Sequence, residues 1–103
     1  MPKTILVVDD HDGVRLLVAR VLNAAGYAVT AVGSIREALG QAGHYDLMIL
    51  DRLLPNGDGR KLWDVFPMVP AFVMSAEAPC DLLKPFTPGA LLEHVERLIG
   101  GSV

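Results

Sequence analysis

Short aliphatic runs that alternate with helix-spaced apolar stripes constrain this chain more than any other feature. Thr4–Val8 (TILVV) is β-branched and aliphatic throughout and stops at Asp9-Asp10, the pattern of a strand buried on both faces. Val14, Leu17, Val18, Val21, Leu22 and Ala25 then recur at helical spacing, with Asp12 available as a cap and Gly26 as the stop. Tyr27–Val32 reads as a second, weaker strand. A helix capped by Ser34 runs to about Ala42 and is closed by Gly43, and Asp46–Leu50 is a third strand that delivers Asp51. Leu54-Pro55-Asn56-Gly57 marks a turn; Asp58 or Gly59 opens a short helix carrying Leu62, Trp63 and Phe66, bounded by Pro67 and Pro70. Ala71–Met74 is a fourth strand and Leu82-Leu83 the stub of a fifth. Thr87-Pro88 starts a last helix, striped by Leu91, Leu92, Val95, Leu98 and Ile99. This alternation predicts an α/β domain with a parallel sheet covered on both faces.

The 103 residues suffice for one domain, expected over 1–103 with its core at about 3–99 and 100–103 as a frayed tail. Hydrophobic residues make up 51% of the chain, enough for a packed core. A net charge of −3 argues against nucleic acid as the direct partner, because binding a phosphate backbone needs a basic face. Cys80 is the single cysteine, so no internal disulfide forms, and a reducing compartment fits. No signal peptide and no membrane-length apolar run are visible, which makes the cytoplasm the expected location and excludes a membrane role.

In sheets of this kind, ligands bind beyond the carboxyl ends of the strands, where the strand order reverses. The polar residues gather there: Asp9 and Asp10 after the first strand, Asp51 after the third, Ser75 after the fourth and Lys84 after the fifth. Converging carboxylates repel one another and need a cation unless some are protonated. Hard oxygen ligands with room for water suit Mg2+. On this reading Asp10 and Asp51 hold the metal, and Asp9 acts through a bound water. Phosphoryl transfer needs mainly alignment and neutralisation of the transferred oxygens. Lys84 adds a point charge, Ser75 a hydroxyl donor, and Asp51 the nucleophile that becomes an acyl phosphate. Taken singly, each residue has a plainer reading as a cap, a turn residue or a surface lysine. Their joint occurrence at four strand ends is what carries the argument.

Ile5-Leu6-Val7-Val8-Asp9-Asp10, Asp51-Arg52-Leu53-Leu54-Pro55 with Asp58-Gly59, Met74-Ser75-Ala76 and Lys84-Pro85-Phe86 resemble the signature blocks of the response-regulator receiver domain of two-component systems. The resemblance spans residues 3 to 99. It implies a flavodoxin-like, doubly wound five-stranded sheet, and phosphotransfer from a histidine kinase or histidine phosphotransfer protein. It makes Asp51 the phosphoacceptor and Asp9 and Asp10 the acidic pocket, with the backbone carbonyl of Leu53 as the third protein ligand of the metal. Ser75 becomes the switch hydroxyl, Ala76 the small residue that leaves access, and Lys84 the ionic partner of the phosphoryl group. It also implies a cis peptide bond at Lys84-Pro85. Such a domain is a signalling phosphoacceptor that catalyses only its own phosphorylation and dephosphorylation, not an enzyme acting on a separate substrate.

Two features depart from that pattern. Ser75 and Lys84 are only nine positions apart, and the intervening segment contains Pro79. A helix of ordinary length, about eleven residues, does not fit, so the fourth helix is expected to be absent or reduced to one turn. The position three before the lysine, which in receivers usually holds an aromatic that reports phosphorylation, is Asp81. Loss of that helix is expected to uncover apolar sheet surface near strands four and five, available to a homodimer, a kinase or a target.

Other polar and aromatic residues have plainer assignments. His11 reads as a solvated residue at the start of the first helix, and His44 and His94 as surface residues. Cys80 lacks an activating motif. Trp63 and Phe66 read as packing, and Met48 and Met74 as core. Arg52 and Glu77 flank the pocket, where they are placed to influence dephosphorylation. Three alternatives remain: a receiver cut from a hybrid histidine kinase, a pseudo-receiver used only for protein binding, and a small-molecule enzyme. The initial methionine and the lack of a linker favour a free-standing regulator over the first. The third is disfavoured by Leu53, where an aspartate-dependent phosphatase needs a second aspartate, and by the absence of a glycine-rich phosphate loop.

Overall fold

The structure is a computed structural model that describes residues 2–41, 43–54 and 57–99. Five parallel strands form the sheet: β1 (Thr4–Val8), β2 (Ala28–Val32), β3 (Leu47–Asp51), β4 (Ala71–Ser75) and β5 (Leu82–Leu83). Their order is β2-β1-β3-β4-β5. Helices α1 (Asp12–Ala24), α2 (Ile35–Leu39), α3 (Leu62–Val65, preceded by a 3-10 turn at Gly59–Lys61) and α4 (Pro88–Ile99) complete the described elements. This is the expected five-stranded, flavodoxin-like fold. A small antiparallel ribbon, Leu53–Leu54 with Gly57–Asp58, sits beside it.

Strand side chains alternate between two faces, and both are covered. Ile5, Val7, Leu47, Ile49, Phe72, Met74 and Leu82 pack beneath α1 and α4, meeting Val18, Leu22, Leu91 and Val95. Leu6, Val8, Met48 and Leu50 pack on the other side with Ala38, Tyr45 and Leu62. Burying each such Leu, Ile or Val contributes about 1.5–3 kcal/mol, so β1, buried from Ile5 to Val8, and β3, buried throughout, are the best-anchored strands.

The helix ends follow local chemistry. Ser34 Oγ accepts the Glu37 N–H at 3.1 Å, and Thr87 Oγ1 accepts the Ala90 N–H at 3.1 Å. Gly26 closes the α1 turn at φ +98°, where a Cβ would be strained. Asp12 is not the cap of α1: His11 holds that position without a side-chain bond, and Asp12 lies in the first turn paired with Arg15 at 2.5 Å. Helix α2 ends at Leu39 with Gly40 as its C-cap, earlier than expected. The expected limit at Ala42, the Pro55-Asn56 turn and the 100–103 tail lie outside the described residues.

No helix lies between β4 and β5; residues 76–81 form a chain of bends. Asp81 takes over the pairing that a longer strand would supply. Its carboxylate accepts the Val73 N–H at 2.8 Å, and its own N–H donates to the Val73 carbonyl at 3.0 Å. The sheet face there is only partly uncovered. Val73 is buried beside a hollow of about 270 Å³ lined by Arg52, Arg60, Trp63, Pro79 and Cys80 among others. Val69 folds back against the same face, whereas Leu83, Val65 and Met68 stay exposed. Phe66 packs edge-on to Tyr45 (6.4 Å between centroids), but Trp63 is 43% exposed, because α3 is too short to tuck it under. His94 is half-buried against Phe72, with ring centroids 5.3 Å apart, rather than lying on the open surface.

Candidate functional site

The carboxyl ends of β1, β3 and β4 and the residue after β5 meet at one edge of the sheet. There the structure brings Asp9, Asp10, Asp51, Ser75 and Lys84 together. Asp9, Asp51 and Ser75 are the buried polar residues among those described. Lys84 Nζ lies 2.7 Å from Asp9 Oδ2 and 3.5 Å from Asp51 Oδ2, so one cation serves two buried carboxylates. Asp10 is more exposed, at the mouth. Ser75 Oγ accepts the Glu77 N–H at 3.2 Å, and the Lys84 N–H donates to the Ser75 carbonyl at 2.8 Å. Lys84-Pro85 is cis, as is Ala78-Pro79.

The electrostatics follow from this crowding. The Asp51 carboxyl is pushed above the usual carboxylate range, first by burial and then by the Asp9 charge. Lys84 and the backbone N–H of Leu53 oppose the rise. Leu53 therefore keeps its peptide at the pocket although its side chain is exposed.

Three residues make supporting contacts that a reading of the sequence alone does not give. Arg15 Nη1 donates to the Asp9 carbonyl at 2.9 Å while Nη2 holds Asp12, which braces the acidic loop against α1. The sole hint is an arginine three positions after an aspartate. Gly59 is buried against the Asp51 backbone, and a Cβ there would collide with the Asp51 carbonyl oxygen. Arg52 Nη1 donates to the Pro79 carbonyl at 3.2 Å, so it ties the end of β3 to the shortened segment instead of reaching into solvent.

The donor set fits a divalent cation. Three carboxylates face one lysine, an excess of negative charge that a dication offsets. Asp9, Asp10, His11 and Asp51 can each place a ligand atom within 4.8 Å of the others. The carboxylate oxygens are hard donors of the kind Mg2+ takes.

Residues 5–67 match the family described as response regulator receiver domain. Sensor protein EvgS of Escherichia coli K12 is 34% identical over 114 aligned positions, covering 92% of this chain and 10% of that protein. The chain thus spans about a tenth of the length of that curated relative. Among solved structures, the chemotaxis response regulator CheY4 of Vibrio cholerae is 26% identical with a TM-score of 0.86, covering 95% of this chain and 99% of that one. A response regulator from Thermotoga maritima shares the fold at 24% identity and a TM-score of 0.82, covering 98% and 100%. A sensor protein from Polaromonas sp. JS666 does so at 24% and 0.83, covering 95% and 96%. With the sheet order, the acidic edge and the lysine in place, these likenesses make the chain a member of the response regulator receiver domain family.

Proposed function

We propose that this domain accepts a phosphoryl group on Asp51 from the phosphohistidine of a histidine kinase or histidine phosphotransfer protein. The observation that carries the reading is the buried Asp51 carboxylate beside Asp9, with Lys84 Nζ within 3.5 Å of both. An Asp51 oxygen forms the new P–O bond as the P–N bond of the donor breaks, and the imidazole leaves with the electron pair. Lys84 pairs with a phosphoryl oxygen, and the Ser75 hydroxyl donates to another. Asp10, Asp51 and the Leu53 carbonyl would hold Mg2+, with Asp9 acting through water; a bound Mg2+ neutralises charge on the transferred group. The domain acts on no separate substrate.

The cytoplasm is the proposed location. Among the described residues, no helix is long and apolar enough to cross a membrane. The proposed role is a single-domain regulator. The likeness to a tenth of a sensor protein favours a second reading, a receiver within a longer hybrid kinase. Exposed Trp63, which lines the hollow beside the shortened segment, and exposed Leu83 on the last strand are the proposed contact surface for a target or a second copy. Growth of the light-scattering mass with concentration, abolished by Leu83→Glu, identifies a homodimer there; a constant mass removes it.

Intact mass after incubation with a small phosphodonor and Mg2+ tests the central reading. Wild type gains one phosphoryl group and Asp51→Asn gains none. Failure of the wild type to gain mass would leave the pseudo-receiver in its place.

A further inference from the structure

We propose that His11 is an additional metal ligand that turns the acidic pocket toward borderline divalent ions such as Co2+, Ni2+ and Zn2+ over Mg2+. This rests on the metal-site reading above. His11 follows the acidic pair and caps α1 with extended backbone (φ −80°, ψ 113°). Its peptide N–H donates to Asp9 Oδ1 at 2.8 Å, which fixes the start of the side chain beside the pocket. The ring Nδ1 lies 3.7 Å from Asp9 Oδ1 and 3.6 Å from Asp10 Oδ1. Those separations are too long for strong hydrogen bonds, so the ring is not committed to either carboxylate.

The scale of the cluster is that of one coordination sphere. Opposite ligands of a six-coordinate ion lie about 4.2 Å apart at metal–ligand distances near 2.1 Å. The donor atoms of Asp9, Asp10, His11 and Asp51 already fall within 4.8 Å of one another. Both Asp9 oxygens are engaged, one by the His11 N–H and the other by Lys84. A place beside Asp10 and Asp51 is thereby left to a neighbouring donor. The His11 side chain is 72% exposed, so moving it onto a metal disrupts no packing. Mg2+ prefers oxygen and water, whereas imidazole suits the later transition ions.

Calorimetric titration of Mg2+ and of Co2+ into wild type, His11→Ala, His44→Ala and Asp51→Asn tests this. His11 makes no side-chain cap bond, so alanine leaves α1 intact. His44 lies 3.3 Å from Asp46 and is a second possible Co2+ contact, which its variant accounts for. The Co2+-to-Mg2+ affinity ratio is expected to fall at least about tenfold in His11→Ala and to persist in His44→Ala. The visible absorption of bound Co2+ should change in His11→Ala as a nitrogen ligand is lost. An unchanged ratio and spectrum in His11→Ala, with Mg2+ still binding through Asp51, would overturn the proposal alone. Loss of all Mg2+ binding by the wild type would instead remove the metal site itself.

Discussion

Asp51 sits in a buried acidic pocket that makes its ionisation less favourable than in water, even with Lys84 beside it. Burial and Asp9 raise its proton affinity in the folded, metal-free protein above the value it has unfolded. Below the ordinary carboxylate range, about pH 4, both states are protonated and the group contributes no difference. As pH rises through the window between the unfolded and the raised folded value, the folded state loses stability. Metal-free Asp51→Asn should therefore be more stable than wild type to urea at pH 7, with the gap closing near pH 4. Asp46 has the opposite sign. Its carboxyl is held low, chiefly by the Thr4 backbone N–H at 2.8 Å, so its contribution is present at neutral pH and is lost on acidification through its folded value. Asp46→Asn should flatten that acid limb of the same urea titration.

At the level of elements, the main departure from the family pattern is how the sheet ends. Strand β5 has two residues, and Asp81 extends its pairing by taking the buried Val73 N–H with a side chain. Asp81→Ala leaves that amide unpaired, a cost of about 1–3 kcal/mol. Chemical denaturation should show the loss, and amide exchange should accelerate at Val73 before the centre of β4. Unchanged exchange there would mean that the clamp does not hold the sheet edge. The strands themselves were legible because runs such as Thr4–Val8 and Leu47–Leu50 are apolar on both faces. The missing helix was legible from the nine-residue spacing and Pro79. Asp81 was legible only as an absence of the aromatic, because a carboxylate pairing with a strand amide depends on a register that composition does not encode. The contacts of Arg15 and Gly59 were not legible for the same reason: each meets a backbone carbonyl brought near by the fold.

For the whole molecule, binding and stability are linked. A ligand that binds only the folded state stabilises it by about 2.7 kcal/mol at a hundred times its dissociation constant. Mg2+ at saturation should raise the melting temperature of the wild type and have much less effect on Asp51→Asn, whose pocket has lost one charge. The two core layers pack on opposite faces of the strands that carry Asp9 and Asp51, so the proposed site stands on strands anchored from both sides.

The most direct measurement is a calorimetric titration of beryllofluoride, a phosphoryl mimic, into the full chain with and without Mg2+. Saturable one-site binding to wild type that requires Mg2+ and is absent in Asp51→Asn is the expected result. Binding without Mg2+, equal binding to Asp51→Asn, or none to wild type at saturating Mg2+ would contradict it.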